Sequence, residues 1–259
     1  MYKLGFIGLG NMASAIQNGF IASGAIKAED ICGFDLAKPA KEAAVDRGVT
    51  VLDNGNEVVK QSEYIFMAVK PQVVEAVTAP LKEDLRGKAL VSMVLRYDFN
   101  KYNTMLDAST RHLTFMPNSP IAVGEGMTLF EEQHSLTDEE YAYIKSLFEA
   151  AGSVQVMPSH LMDAAGILTG CGPAYVYMVI EALADGAVYE GVPRDAAYKL
   201  AAQTVLGSGK MQLATGKHPG FLKDTVTSPS GTTIKGVKAL EDAGMRAAFM
   251  EAILKPAGD

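Results

Sequence analysis

The chain has 259 residues, 48% of them hydrophobic and 20% charged, a composition that belongs to a globular protein and excludes a disordered or low-complexity one. Its 23 lysines and arginines against 30 aspartates and glutamates leave a net charge of −7, which argues against a general nucleic-acid or anionic-membrane binder. Cys32 and Cys171 have no Cys or His partner at metal-ligand spacing, so neither a disulfide framework nor a zinc site is expected and a reducing cytoplasm fits.

Residues 4–9 are apolar but punctuated by Gly5, Gly8 and Gly10, with no small-residue cleavage pattern after them, and read as a strand and turn rather than a signal sequence. Segments 3–7, 31–34, 64–69, 89–94 and 113–116 are short, rich in β-branched or aromatic residues and bounded by turns, as strands are. Between them 13–21, 39–47, 57–61, 73–85 and 100–106 carry helical patterns. Strict alternation predicts a doubly wound, mostly parallel sheet with right-handed crossovers. A hairpin-like pair, 127–130 and 154–157, brackets a helix over 138–150 with Thr137 as its N-cap.

The pattern changes after Pro158, where strands cease and helices are predicted at 161–168, 174–189, 195–212, 234–240 and 245–254. Segment 174–189 is apolar nearly all round, interrupted only by Glu181 and Asp185, and such a helix must be covered on every side. A bundle of about 100 residues has little interior to offer it. A second copy of the chain is the simplest cover, so an obligate homodimer is expected and a membrane span is not. Gly191-Val192-Pro193 then ends one helix and starts the next. The boundary falls between 1–157, an α/β domain, and 158–259, an all-α domain.

Gly8-Leu9-Gly10-Asn11-Met12-Ala13 matches G-x-G-x-x-A between a strand and a helix, the context in which that motif binds a dinucleotide. Gly8 permits the tight turn, Gly10 lets the backbone approach a pyrophosphate, and Ala13 keeps helix and strand close. Free N–H groups and the helix dipole then favour the anion. Asp35, at the end of the next strand, favours a ribose hydroxyl and hence NADH, whereas Lys38 close behind it suits the extra phosphate of NADPH. Asp35 could equally cap the following helix. The cofactor is therefore NADPH or NADH. Ala68, Val69, Lys70 and Pro71 follow a strand and should border the nicotinamide end, as could the amide of Asn118, although a turn-forming Asn is an equal reading.

In the helical half, Thr169 to Tyr175 and Thr227 to Thr233 form small-residue clusters at helix starts, suited to close backbone approach and to a carboxylate, with plain N-capping by Ser230 or Thr232 as the rival reading for the second. Gly207-Ser208-Gly209-Lys210 lacks P-loop spacing and reads as helix packing.

Taken in order, Gly8-Leu9-Gly10-Asn11-Met12, Ala68-Val69-Lys70-Pro71, Met116-Pro117-Asn118, Gly170-Cys171-Gly172-Pro173-Ala174-Tyr175, His218-Pro219-Gly220, Leu222-Lys223-Asp224 and Ser228-Pro229-Ser230-Gly231-Thr232-Thr233 resemble the motifs of the Δ1-pyrroline-5-carboxylate reductase family over almost the entire chain. Ser230 stands where that family usually has glycine, and Cys171 where it often has serine. The resemblance implies a Rossmann domain joined to an all-helical dimerisation domain, with dimers assembling further, up to a decamer of five dimers. It implies reduction of pyrroline-5-carboxylate to proline, with Ser228, Gly231, Thr232 and Thr233 holding the substrate carboxylate. It also implies that the Thr233 hydroxyl meets the ring nitrogen as the catalytic contact and that Asn56 lies near the adenosine ribose. The competing expectations are a β-hydroxyacid dehydrogenase, with Lys199, Lys210 or Lys223 as acid/base but without the surrounding motif, and a non-catalytic dinucleotide sensor.

Overall fold

In the computed structural model, which describes residues 1–257, the alternation of strand and helix is realised in chain order. β1 (Tyr2–Ile7) leads to α1 (Asn11–Ala22), β2 (Ile31–Phe34) to α2 (Lys38–Asp46), β3 (Thr50–Val51) to α3 (Gly55–Gln61), and β4 (Ser62–Met67) to a short α4 (Val74–Thr78). β5 (Ala89–Ser92), α5 (Phe99–Met105), β6 (Arg111–Met116), β7 (Gly126–His134), α6 (Asp138–Ala150) and β8 (Gly152–Met157) complete one sheet of order β3-β2-β1-β4-β5-β6-β7-β8. Among the described residues only β6 and β7 pair antiparallel. The strands are continuous apolar runs because both faces are covered. On one face Phe6, Phe66 and Phe115 pack with Phe20 of α1 and Phe148 of α6; on the other, Ile65, Met67 and Leu90 meet Val74, Leu85 and Tyr102. The strand order reverses about β1 and β4, and ligands of such sheets bind beyond the strand ends at that point.

The structure corrects two of the expectations and adds a strand. Residues 127–130 and 154–157 do not form a hairpin: β7 and β8 are parallel, in register from Gly126 opposite Gly152 to Glu131 opposite Met157. The 13-residue α6, fixed by a capping box between Thr137 and Glu140, is a crossover that returns the chain to the starting end of the sheet. The helix expected over 73–85 stops at Thr78, followed by a single 3₁₀ turn at Ala79–Leu81, because Pro80 lacks an N–H and its ring clashes with the preceding turn. The two-residue β3 is too short to show a period.

Two compact units result, Met1–Gly170 and the part from Cys171 onward. α7 (Met162–Gly166) continues through a π turn at Ile167–Cys171 into α8 (Gly172–Tyr189), so the Gly170 to Gly172 cluster does not interrupt the helical run. α9 (Arg194–Thr215), α10 (Pro219–Thr225), α11 (Thr232–Asp242) and α12 (Met245–Ala257) follow. α10 was not anticipated; it is seven residues long, and His218 caps it by accepting from the Gly220 N–H at 3.1 Å. From Cys171 onward, only Ala184, Ala197 and Ala201 are buried among the described residues. Three alanines bury far too little apolar surface to hold five helices together. The helical run Ser159–Tyr189 is long and apolar enough to cross a membrane and is almost entirely uncovered within one chain, Met178 being 68% exposed.

Candidate functional site

Gly8 and Gly10 occupy one turn for different physical reasons. Gly8 sits at φ +97°, and a Cβ there would lie 2.6 Å from the Ala68 carbonyl oxygen, so the fold itself demands glycine. Its N–H donates to the Phe34 carbonyl at 2.8 Å, and the Ala68 N–H donates to that of Ile7 at 2.8 Å, joining the ends of β1, β2 and β4. Gly10 is the N-cap of the 12-residue α1, at φ −68° and ψ −171°, backbone values open to any residue. A Cβ added there meets nothing within 4 Å. The protein's own packing does not require glycine at position 10; the space above it is free, and no side chain caps the helix. The N–H groups of Asn11, Met12 and Ala13, which no preceding turn can satisfy, are left for a ligand or water.

A cleft of about 470 Å³ opens beside this turn, and Gly8, Gly10, Asp35, Asn56, Ala68, Val69 and Lys70 line it, all anticipated from the sequence. Its remaining wall is apolar and was not anticipated: Leu36, Val73, Val77, Pro80 and Leu81 present a surface suited to a flat heteroaromatic ring. The i, i+4 spacing of Val73 and Val77 behind Lys70-Pro71 was a usable signal for it. Asn11, Met12, Pro71 and Asn118 do not line the cleft. Pro71 opens a 3₁₀ turn. The Asn118 side chain, 8% exposed, accepts from the Met127 N–H at 2.9 Å and donates to the Thr169 carbonyl at 3.1 Å, so its amide braces β7 and the π turn.

Asp35 is held by two backbone donors, its Oδ2 accepting from the Leu9 N–H and its Oδ1 from the Ala37 N–H, each at 2.8 Å. It is not the N-cap of α2; Ala37 is, without a side-chain cap. The carboxylate is thus fixed to the glycine-rich turn and exposed to the cleft. Asn56 donates through Nδ2 to the Pro80 carbonyl at 3.1 Å and to Asp84 at 2.8 Å, and this bond holds the Asp84 carboxyl below its usual range. Asn56 Oδ1 has no partner among the described residues. Among the described residues no histidine lines the cleft, and His112, buried on β6 against Phe99 and Tyr102 of α5, is pushed down to about 4 by loss of solvation and is neutral at pH 7.

In the second unit, Ser228, Thr232 and Thr233 are exposed at the start of the 11-residue α11. Gly231 is the N-cap, at φ −67° and ψ 172°, and no side chain caps the helix; the expected alternative of capping by Ser230 or Thr232 is not realised. The loop is closed by the Gly231 N–H donating to the Ser228 carbonyl at 3.1 Å. Ser230 adopts φ +61°, a left-handed conformation that costs a non-glycine residue about 1 kcal/mol. α1 and α11 therefore begin alike, with a glycine in extended conformation and bare N–H groups, the chemistry of an anion receptor.

Residues 159–257 match a family model described as pyrroline-5-carboxylate reductase dimerisation, and residues 3–96 one described as NADP oxidoreductase, coenzyme F420-dependent. The chain is 42% identical to the pyrroline-5-carboxylate reductase of Methanosarcina acetivorans over 98% of its own length and 94% of the relative's. It is 40% identical to that of Escherichia coli over 98% and 95%. The crystal structure of Plasmodium falciparum pyrroline carboxylate reductase with NADP bound superimposes with a TM-score of 0.88 at 30% identity, covering 97% of this chain and 94% of that one. With both bare helix starts present in a chain that matches such relatives end to end, the protein belongs to the pyrroline-5-carboxylate reductase family.

Proposed function

We propose that the protein reduces the cyclic imine L-1-pyrroline-5-carboxylate to L-proline, the last step of proline biosynthesis, using NADH or NADPH. The observation that carries this reading is the open space over Gly10 at an uncapped helix start, a cradle that a single methyl group would fill. Bound dinucleotide supplies a hydride. The backbone at Gly8, Gly10, Asn11 and Met12 would hold its pyrophosphate, Asp35 and Asn56 would take the adenosine ribose, and Ala68, Val69 and Lys70 would border the nicotinamide end, with Pro71 turning the chain away and Asn118 bracing it behind them. Ser228, Gly231, Thr232 and the α11 N–H groups hold the substrate carboxylate, and the Thr233 hydroxyl hydrogen-bonds the ring nitrogen. Hydride adds to the carbon of the C=N bond, the π pair passes to the protonated nitrogen, and a secondary amine results. An iminium is already a strong hydride acceptor, so the protein's task is to position it and stabilise its charge.

Adding pyrroline-5-carboxylate to enzyme and reduced nicotinamide should consume the nicotinamide absorbance. Appearance of that absorbance with a 3-hydroxy acid and oxidised cofactor instead would support a hydroxyacid dehydrogenase, and binding without turnover a sensor. Thr233→Ala is expected to lower kcat by about 10- to 100-fold, the worth of one hydrogen bond to a charged group, with dinucleotide affinity unchanged. Full turnover with unaltered KM would remove Thr233 from the reaction.

The same reading divides the chain at 157/158 into a nucleotide-binding part and a dimerisation and substrate part. It makes the uncovered helices of the second part the interface of a homodimer, with five dimers joining into a decamer as the family resemblance implies. It places the protein in the cytoplasm, in keeping with its unpaired cysteines.

A further inference from the structure

We infer that Asp35 makes this chain select NADH over NADPH by excluding the 2′-phosphate of the adenosine ribose. The inference rests on the proposed function and sharpens it. Asp35 is the only acidic residue lining the cleft, and Lys70 the only basic one, among the described residues. The two stand at the ends of β2 and β4, on opposite sides of β1, which puts them roughly 10 Å apart at the usual strand spacing. Lys70 thus stands two strands away from Asp35.

The Asp35 carboxylate cannot swing aside without giving up the Leu9 and Ala37 N–H groups, both at 2.8 Å. Each of its oxygens keeps a lone pair, which can accept from a ribose hydroxyl but only repels a phosphate carrying about −1.5 to −2 charges. The loop behind it offers few donors in compensation. Asp35 already occupies the Ala37 N–H, and Pro39 has none. Lys38 and, three residues on, Lys41 are the cations at the start of α2; the Lys38 side chain is 83% exposed and lies 3.6 Å from Glu42. A mobile, partly neutralised lysine in solvent is outweighed by a fixed carboxylate within the cleft.

The test is equilibrium binding to the intact protein without substrate, followed by nicotinamide fluorescence. NADH should bind at least tenfold more tightly than NADPH, and 2′,5′-ADP should raise the melting temperature less than ADP. Asp35→Ser should move the NADPH-to-NADH affinity ratio at least tenfold toward NADPH. Should that variant fail to fold for want of its two backbone contacts, Asp35→Asn keeps an acceptor, and Leu36→Arg, at a position 89% exposed, adds a cation beside the carboxylate. Either should shift the ratio the same way. Wild-type protein that binds NADPH as tightly as NADH, or a ratio unmoved by all of these substitutions, overturns the inference alone. Wild-type protein that binds neither nucleotide overturns it together with the reading beneath it.

Discussion

Gly10→Ala is expected to keep the fold and lose the cofactor. The backbone at position 10 suits alanine, and the added methyl meets nothing within 4 Å, so stability should change by no more than about 1 kcal/mol, a melting shift of roughly 3 °C for a chain of this size. Dinucleotide affinity should fall at least tenfold, since the methyl occupies the space through which a pyrophosphate reaches the α1 N–H groups. Gly8→Ala two residues away should do the reverse in kind. There the Cβ lies 2.6 Å from the Ala68 carbonyl at φ +97°, and a loss of about 2–4 kcal/mol is expected from strain alone. Thermal melts and nicotinamide titrations of both variants separate the two roles. Wild-type affinity in Gly10→Ala would dismiss the turn as a phosphate site.

Met178→Glu is expected to dissociate the protein. Met178 is 68% exposed within one chain, on a helix that is apolar nearly all round, in a unit where three alanines are the buried ones among the described residues. A second copy must therefore supply the core, and an unpaired carboxylate buried in it costs several kcal/mol. Sedimentation should show wild type at twice the 27.5 kDa chain mass or a higher even multiple, and the variant as monomer or aggregate with loss of turnover. Wild-type protein found only in detergent-extracted membranes would mean that lipid, not a second copy, covers α8. A monodisperse wild-type monomer would refute the dimer outright.

Legibility from sequence tracked the distance over which each feature is specified. The β1–turn–α1 unit is written within a dozen adjacent residues, and its strand, glycines and helix all stand where they were expected. The orientation of β8 against β7 was misjudged because it depends on how the chain returns after α6, which no local pattern states. Asp35 was legible as a residue of the cleft, yet the bond that fixes it comes from Leu9, 26 residues earlier. Asn118 was placed near the cofactor because it follows a strand; its partners are 9 and 51 residues away, and they draw its amide elsewhere. The apolar wall around Val73 and Val77 was missed because those residues were assigned to a helix over 73–85 as its packing face, and Pro80 shortens that helix.

The bare start of α1 sets a trap for anyone who hardens this protein against heat. Serine, threonine or aspartate at an N-cap strengthens a helix by satisfying its own first donors, while aspartate also answers the dipole. Screens that reward thermostability alone will favour such residues at position 10, for a gain of a few tenths of a kcal/mol over glycine, whereas at position 231 a Cβ would lie 2.5 Å from Ser228 Oγ. Every such gain installs an internal rival for the anion. The toughest clones from such a campaign should be the ones least able to turn over, and the deficit would be invisible until they were assayed.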